Sequence, residues 1–147
     1  YPTSITDVDV EKIISSLSRA QVVVLGPGLG RDRGTLDAAA MVIAAGGARG
    51  VPLVLDADAL WRVAEEPTIL GSVGSTVRPT VLTPNAIEFE RLWAAVMWGT
   101  PPADVVPRPP NAAVATEEVA HLANELGVVV MRKGLVDIVS DGVTTLV

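Results

Sequence analysis

The 147-residue sequence has no cysteine and a single histidine, His121. Without cysteine, the chain can form neither disulfides nor thiolate metal sites. One histidine argues against a histidine-ligated metal and against a Ser-His-Asp triad, and His121 falls in a helical pattern that favours packing or surface exposure. We therefore expect neither zinc chemistry nor serine-hydrolase catalysis.

Clustered basic residues and long apolar runs are also lacking. The chain carries 11 basic and 17 acidic residues, for a net charge of −6, and its Lys and Arg residues are scattered. A phosphate backbone needs clustered positive charge, so nucleic acid is not an expected partner. No apolar run reaches the roughly eighteen residues that would span a bilayer, and residues 1–4 do not resemble a signal peptide. We expect a soluble protein with no membrane partner.

The composition that is present is that of a globular domain. Hydrophobic residues make up 49% of the chain and charged residues 19%. This length suits one core, so residues 1–147 are predicted to form a single domain. The chain begins at Tyr1 instead of methionine, and the apolar strand pattern of Val143–Val147 is followed by no polar tail. We expect both ends to be cut from a longer protein.

Predicted strands and helices alternate along the chain. Short apolar runs predict strands, whereas apolar spacings of three and four residues predict helices. The predicted order is helix 7–17, strand 21–25, a helix capped by Asp32 and ending at Gly46-Gly47, strand 53–55, helix 58–65, strand 79–82, helix 85–98, helix 116–126, strand 128–132 and a hairpin of 135–139 with 143–147. A tight Asp141-Gly142 turn would close the hairpin. Five prolines within 100–111 indicate a surface loop. The pattern predicts an α/β sandwich with a mostly parallel sheet and an antiparallel edge.

Polar and glycine-rich segments follow the predicted strands, where ligands bind in open α/β sheets. The first is Gly26–Gly30, whose three glycines allow a backbone to approach a ligand and direct N–H groups at negative charge. It is not a P-loop, because a Gly-Lys-Ser/Thr end is missing. It is not a dinucleotide fingerprint either, because Arg33 stands where glycine is needed. The alternative is a tight turn with a structural role only.

Carboxylates follow the second strand, and an amide with a carboxylate follows the third. Asp56 and Asp58 could bind a hydroxyl, orient a polar group or hold hydrated magnesium through water. Asp58 also stands where a helix N-cap belongs, so capping alone would explain it. Asn85 and Glu88 have the spacing of a capping box, and the helix that they begin could also contact an anion or another ligand.

The fourth strand ends in Lys133-Gly134, with Asp137 shortly after. Lysine beside glycine suits phosphate binding, because glycine admits the phosphate to the backbone and the ammonium supplies charge. The alternative is an ordinary solvated lysine. The three tryptophans, Trp61, Trp93 and Trp98, each fall in a helical stretch and are predicted to be packing residues.

In this order, four segments resemble the NAD(P)H-hydrate dehydratase family. They are Gly26-Pro27-Gly28-Leu29-Gly30-Arg31-Asp32, Leu55-Asp56-Ala57-Asp58-Ala59-Leu60, Leu82-Thr83-Pro84-Asn85 with Glu88-Phe89, and Lys133-Gly134 with Asp137. The resemblance covers residues 13–147. It implies a ribokinase-like three-layer sandwich and the repair of hydrated NADH or NADPH, with ATP or ADP as co-substrate and Mg²⁺ in support. The ring hydroxyl would accept a phosphoryl group, and loss of phosphate would restore the double bond.

The resemblance also implies roles for individual residues, with no direct metal ligand among them. The hydrated dinucleotide would contact Gly28, Gly30, Asn85, Ala86, Ile87, Glu88, Phe89, Glu90 and Arg91. The nucleotide would contact Lys133, Gly134, Leu135, Val136 and Asp137, with Asp56 and Asp58 in a supporting position near the substrate.

The sequence departs from the family pattern at the catalytic aspartate. In the family that it resembles, this aspartate lies in a Gly-Gly-x-Gly-Asp segment after the hairpin, and the 147 residues do not include it. We therefore expect the 147 residues alone to be inactive. The stretch from Asn85 to Arg91 resembles the eukaryotic branch, which favours ATP and a cytoplasmic protein, with the mitochondrion as the alternative. A homo-oligomer is compatible with the sequence. Two other functions stay open, namely a ribokinase-like kinase of vitamin precursors and a noncatalytic nucleotide-binding fragment.

Overall fold

The computed structural model describes residues 5–72, 79–101, 104–106 and 111–147. Its helices are α1 (Asp7–Ser16), α2 (Arg33–Ala48), α3 (Asp58–Glu65), α4 (Ala86–Trp98) and α5 (Ala112–Leu126), with 3₁₀ turns at Leu17–Arg19 and Pro67–Ser72. Its strands are β1 (Val23–Leu25), β2 (Leu53–Leu55), β3 (Thr80–Leu82), β4 (Val129–Arg132), β5 (Ile138–Ser140) and β6 (Thr145–Leu146). The predicted alternation of strands and helices is confirmed.

The six strands form one sheet in the order β1-β2-β3-β4-β5-β6. The first four strands are parallel, with Val24 beside Val54 and Val54 beside Val81. The last three strands are antiparallel neighbours. The connections between the parallel strands all run in the same direction across the sheet. Because such crossovers are right-handed, they place their helices on the same face of the sheet. The predicted mixed α/β fold, with a mostly parallel sheet and an antiparallel C-terminal end, is confirmed.

The core lies between that face and the helices. Alternate strand residues point to it, and α2 to α5 contribute one apolar stripe each. Its members include Ile43, Leu53, Leu55, Leu60, Leu82, Phe89, Leu92, Leu122 and Val130. On the opposite face, Val24 is 63% exposed and Val54, Val81 and Val139 are half-buried. Of the three layers of the expected sandwich, the described residues form two.

Two predicted boundaries are wrong for identifiable reasons. Helix α2 does not end at Gly46-Gly47 but continues to Ala48. A Cβ on Gly46 would lie 2.9 Å from Cδ2 of Leu53, so this glycine lets the helix approach the sheet. Helix α5 begins before Thr116, because the side chain of Asn111 accepts the N–H of Val114. The predicted loop of residues 100–111 lies partly outside the described residues.

The predicted hairpin differs in its first strand and its turn. Residues 135–137 are not in a strand, because the carboxylate of Asp137 accepts the N–H of Gly134 and forms a loop before Ile138. The turn is longer than two residues, since Ser140 pairs with Thr145. The carboxylate of Asp141 accepts the amides of Val143 and Thr144 at 2.9 and 2.7 Å, which fixes this wider turn.

Candidate functional site

Hydrogen bonds beyond the strand ends bring the predicted site segments to one edge of the sheet. The N–H of Asp56 donates to the carbonyl of Leu25 at 3.0 Å, and that of Thr83 donates to the carbonyl of Leu55 at 3.1 Å. The N–H of Lys133 donates to the carbonyl of Pro84 at 2.8 Å. The glycine turn, the two aspartates, the start of α4 and the lysine loop are therefore neighbours, as the parallel order predicted.

The glycine turn packs directly on the end of β2. Gly26 is buried and has φ +125°, and a Cβ built on it would lie 1.7 Å from the carbonyl oxygen of Asp56. Any side chain here would push the tips of the two strands apart. Gly28 and Gly30 also have positive φ, at +71° and +86°, but a Cβ on Gly28 meets no atom within 4 Å.

Asp58 holds this turn in place and does not cap α3. The N-cap residue is Ala57, which forms no capping hydrogen bond. The carboxylate of Asp58 accepts the N–H of Gly30 at 3.0 Å and Nε of Arg31 at 2.8 Å. The hydrogen bond from Arg31 is the main reason that the pKa of Asp58 lies below its usual value, with partial burial acting against it. Because the Gly30 amide is bound by Asp58, it does not point at a ligand here.

Asp56 forms an ion pair with Lys133 across the sheet edge. Its Oδ1 lies 2.8 Å from Nζ of Lys133 and accepts the N–H of Ala57 at 2.9 Å. Partial burial raises the pKa of Asp56, but the hydrogen bonds from Lys133 and Ala57 outweigh it, so the pKa lies below its usual value. Lys133 is therefore not a free solvated lysine. The pair connects the segment predicted to bind substrate with the segment predicted to bind nucleotide.

The start of α4 is the predicted capping box. Oδ1 of Asn85 accepts the N–H groups of Ile87 and Glu88 at 3.0 Å each. Oε2 of Glu88 accepts the N–H of Asn85 at 2.8 Å. The capping prediction is confirmed, and the two side chains hold the first turn of the helix rigidly at the mouth of the site.

A cavity of about 200 Å³ opens between the glycine turn, α3 and α4. It is lined by Arg31, Ala57, Leu60, Trp61, Asn85, Ile87, Glu88 and Arg91. Four of these residues belong to the predicted substrate stretch. Ala86 and Glu90 of that stretch do not line it. The expected contact by Phe89 is not supported, because its side chain is 1% exposed in the core and its N–H donates to the carbonyl of Asn85.

Two arginines stack on Trp61 at this cavity. Cζ of Arg91 lies 3.9 Å from the indole centroid, and Cζ of Arg31 lies 4.3 Å from it. Trp61, predicted to be a packing residue, packs against both arginines and in addition lines the cavity. Its position three residues after Asp58, in the first turn of a helix at a strand end, is the signal that sequence reasoning missed. Trp98 is 73% exposed, so the prediction that it packs is wrong.

The loop that follows β4 is exposed. Its turn is held by the Gly134 amide, which donates to Asp137 at 3.0 Å. Leu135 is fully exposed, at 102% relative accessibility, and Val136 is 58% exposed. This loop leaves apolar surface and backbone open beside the ammonium of Lys133, which suits a flat apolar ring and an adjoining phosphate.

The described residues do not form a metal site of their own. No group of three or more His, Asp or Glu residues within them is placed to hold an ion. Asp56, the nearest candidate, is already paired with Lys133. In addition, none of the helices in the described part of the chain is long and apolar enough to cross a membrane.

The chain is similar to known proteins over almost its whole length. A family model described as NAD(P)H-hydrate dehydratase matches residues 2–146. An ATP-dependent (S)-NAD(P)H-hydrate dehydratase of Ajellomyces capsulatus is 40% identical over 138 residues, which cover 93% of this chain and 35% of the relative. The protein of the same name from Homo sapiens is 37% identical over 139 residues, which cover 94% of this chain and 36% of that one.

A solved structure supports the fold. Hydroxyethylthiazole kinase from Pyrococcus horikoshii OT3 matches with a TM-score of 0.66 and 24% identity over 92% of this chain and 47% of the kinase. This likeness supports the ribokinase-like fold class. The chain spans about 35% of the length of the curated relatives that it matches. Because the family model covers residues 2–146, including every segment at the sheet edge, the chain belongs to the NAD(P)H-hydrate dehydratase family.

Proposed function

We propose that the protein containing this chain removes water from hydrated NADH or NADPH at the expense of ATP. The relatives named above as ATP-dependent (S)-NAD(P)H-hydrate dehydratases support this activity. The observation that carries it is the 2.8 Å ion pair between Asp56 and Lys133. It joins a cavity suited to the dinucleotide and a loop suited to the nucleotide, as phosphoryl transfer between the two requires.

On the substrate side, we assign the dinucleotide to the cavity between the glycine turn, α3 and α4. Asn85, Ile87, Glu88 and Arg91 line this cavity, and the capping box fixes their backbone. Gly28 and Gly30 do not line the cavity; they precede its lining residue Arg31 in the glycine turn, where Asp58 accepts the N–H of Gly30, and we keep them as neighbours of the ligand. We keep Ala86 and Glu90 as neighbours of the ligand, and we omit Phe89 because it is buried.

On the nucleotide side, the loop of residues 133–137 binds ATP. Lys133 contributes positive charge at the phosphates, and Gly134 lets them approach the backbone. The exposed side chains of Leu135 and Val136 provide apolar surface for the base, and Asp137 fixes the turn. We retain ADP as the alternative co-substrate.

The hydroxyl oxygen of the hydrated ring attacks the terminal phosphorus of ATP, ADP leaves, and the hydroxyl proton is released. The C–O bond then breaks, phosphate leaves with the bonding electrons, and loss of a proton restores the ring double bond. In this scheme, Lys133 offsets negative charge on the transferred group, and Asp56 holds the ammonium in position. Magnesium, if it takes part as proposed, would supply positive charge at the phosphates of the nucleotide.

The test is recovery of NADH absorbance at about 340 nm, the wavelength at which the reduced nicotinamide ring absorbs and the hydrated ring does not. Hydrated NADH, ATP and Mg²⁺ are mixed with the 147-residue chain, or with that chain joined to the C-terminal part of the Ajellomyces relative. We expect recovery with the extended chain and little or none with the 147 residues. An extended chain that is folded but inactive, beside an active full-length relative, would overturn the proposal.

Two other functions remain as alternatives. A kinase of vitamin precursors has support from the fold alone, since the hydroxyethylthiazole kinase is only 24% identical. It would phosphorylate a small alcohol without producing NADH. A noncatalytic nucleotide-binding fragment would bind ATP in calorimetry but give no product in either form of the chain. Location in the cytosol or the mitochondrion and assembly into a homo-oligomer remain predictions.

A further inference from the structure

The cavity between the glycine turn, α3 and α4 contains an unusual concentration of positive charge. Arg31 comes from the glycine turn and Arg91 from α4, yet both guanidinium groups stack on the single indole of Trp61 on α3. Two like charges on one ring repel each other. The pKa of Arg91 lies below its ordinary value, first because the group is partly buried and second because of the charge of Arg31.

Acidic residues attract both arginines, and Asp104 attracts Arg91 more weakly than Arg31 repels it. Asp58 pairs with Arg31 through Nε and also accepts the Gly30 amide. Glu88, the acidic residue in the lining, uses Oε2 to accept the N–H of Asn85. The lining also includes the first turn of α4, whose dipole is positive at that end. An anion entering the cavity would reduce the repulsion between the two guanidinium groups that line it.

The indole orients the two arginines beside the cavity. Nε1 of Trp61 donates to Oε1 of Glu65 at 3.2 Å, which favours one orientation of the ring. A guanidinium stacked on this ring loses little further conformational entropy when it binds a ligand. It can still present two parallel N–H groups to phosphate oxygens.

We propose that Arg31 and Arg91, held on Trp61, bind a phosphate group of the hydrated dinucleotide. This inference rests on the proposed function and names the part of the substrate that this cavity takes. The cavity volume of about 200 Å³ is less than the 300–1,000 Å³ typical of a site for a whole ligand, so it holds one portion of the dinucleotide. That phosphate is either the diphosphate bridge, which NADH and NADPH share, or the 2′-phosphate of NADPH.

The first experiment uses Trp61 as a fluorescent reporter. The chain has three tryptophans, so the double variant W93F and W98F leaves Trp61 alone. It is titrated with inorganic pyrophosphate, adenosine 2′-monophosphate and uncharged adenosine. We expect an anion-dependent change in Trp61 emission and none with adenosine. A response to pyrophosphate assigns the diphosphate bridge, whereas a response only to the 2′-phosphate assigns that group.

Variants of the two arginines test whether these side chains bind the anion. In the reporter background, Arg91→Gln and Arg31→Gln should each weaken anion binding by about tenfold or more, because each removes a charge-assisted pair of hydrogen bonds. Arg49→Gln is the matched control, since Arg49 lies at the end of α2 and does not line the cavity. Circular dichroism confirms that each variant is folded. No Trp61 response to anions, or an equal response in folded Arg91→Gln and the control, overturns the proposal.

A second measurement separates this inference from the proposed function. In the extended chain, Arg91→Gln should raise the KM for hydrated NADH by about tenfold while leaving the KM for ATP unchanged. If the extended chain is active and this KM does not change, the phosphate assignment is wrong and the dehydratase stands. If pyrophosphate binds at Trp61 but the extended chain is inactive, the anion site stands and the dehydratase assignment fails.

Discussion

The two sides of the candidate site are built differently. The substrate side draws on the glycine turn, α3 and α4, and its side chains are fixed by the Asp58 bonds, the capping box and the stack on Trp61. The nucleotide side is one loop, stabilised by the Gly134–Asp137 bond, with Leu135 fully exposed. The comparison teaches that the side proposed for the substrate is held by contacts among three elements, whereas the loop proposed for the nucleotide is held mainly by one local hydrogen bond.

The largest expected effect comes from Gly26→Ala, which disrupts the glycine turn on the substrate side. The new Cβ would lie 1.7 Å from the carbonyl oxygen of Asp56, at a φ of +125° that alanine avoids. We expect the free energy of unfolding to fall by about 3 kcal/mol or more, as measured by urea denaturation. Gly28→Ala is the control: it has space around its Cβ and should cost about 1–2 kcal/mol for its positive φ alone. Equal losses would contradict this account.

Lys133→Met breaks the connection between the two sides. It removes the ammonium that is proposed to contact ATP and leaves the carboxylate of Asp56, 29% exposed, without its cation. We expect ATP affinity, measured by calorimetry, to fall by about tenfold or more. Because both side chains are partly solvated, stability should fall by only about 1 kcal/mol. Lys12→Met is the control, since Lys12 is 73% exposed on α1. Unchanged ATP affinity would place the nucleotide elsewhere.

Acidification should weaken the substrate side through Asp58. Its pKa is lowered in the folded state, mainly by the hydrogen bond from Arg31. Its contribution to stability is therefore complete above the unfolded pKa of about 3.9 and is lost as pH falls through the folded value. We expect the melting temperature to fall as pH drops below about 4, and less steeply in Asp58→Asn. The same slope in both proteins would show that Asp58 contributes little.

Leu135→Ser tests the exposed loop on the nucleotide side. Because Leu135 is fully exposed, we expect the free energy of unfolding to change by less than about 0.5 kcal/mol. ATP affinity should fall by about threefold, since apolar surface beside the base is lost. Calorimetry of ATP binding and urea denaturation provide the two readings. Leu146→Ser, on the 66% exposed Leu146 of β6, is the control for removing a surface leucine. A large loss of stability in Leu135→Ser would show that the loop is packed after all.

A small gain in stability, without loss of a side-chain contact, is expected for Ala57→Gly. Ala57 has φ 48° and ψ −118°, a conformation that L-residues seldom adopt, and it lines the cavity. Glycine removes strain of about 1–3 kcal/mol but is more flexible in the unfolded chain. We expect a gain of up to about 1 kcal/mol in urea denaturation. A loss of stability would mean that Ala57 is not strained.

The sequence predicted the sheet, the capping box and the convergence of the strand ends because these depend on local patterns. Apolar runs locate strands, and the spacing of Asn85 and Glu88 identifies a cap. The partner of Asp58 could not be predicted, because the Gly30 amide is distant in sequence and only the fold brings the two together. The same holds for the stack of Arg31 and Arg91 on Trp61, which joins three elements. Gly46 looked like a helix end because local pattern does not reveal Leu53 opposite it.

The ion pair between Asp56 and Lys133 makes one ammonium common to both sides of the site. A nucleotide phosphate that draws Lys133 towards itself weakens the bond that lowers the pKa of Asp56. In linkage terms, we expect ATP binding at the proposed site to be accompanied by proton uptake near the pKa of that carboxyl. By reciprocity, protonation of Asp56 frees the ammonium and favours the nucleotide. With the nucleotide beside Lys133 as proposed, we expect its affinity to depend on pH in the range where Asp56 titrates.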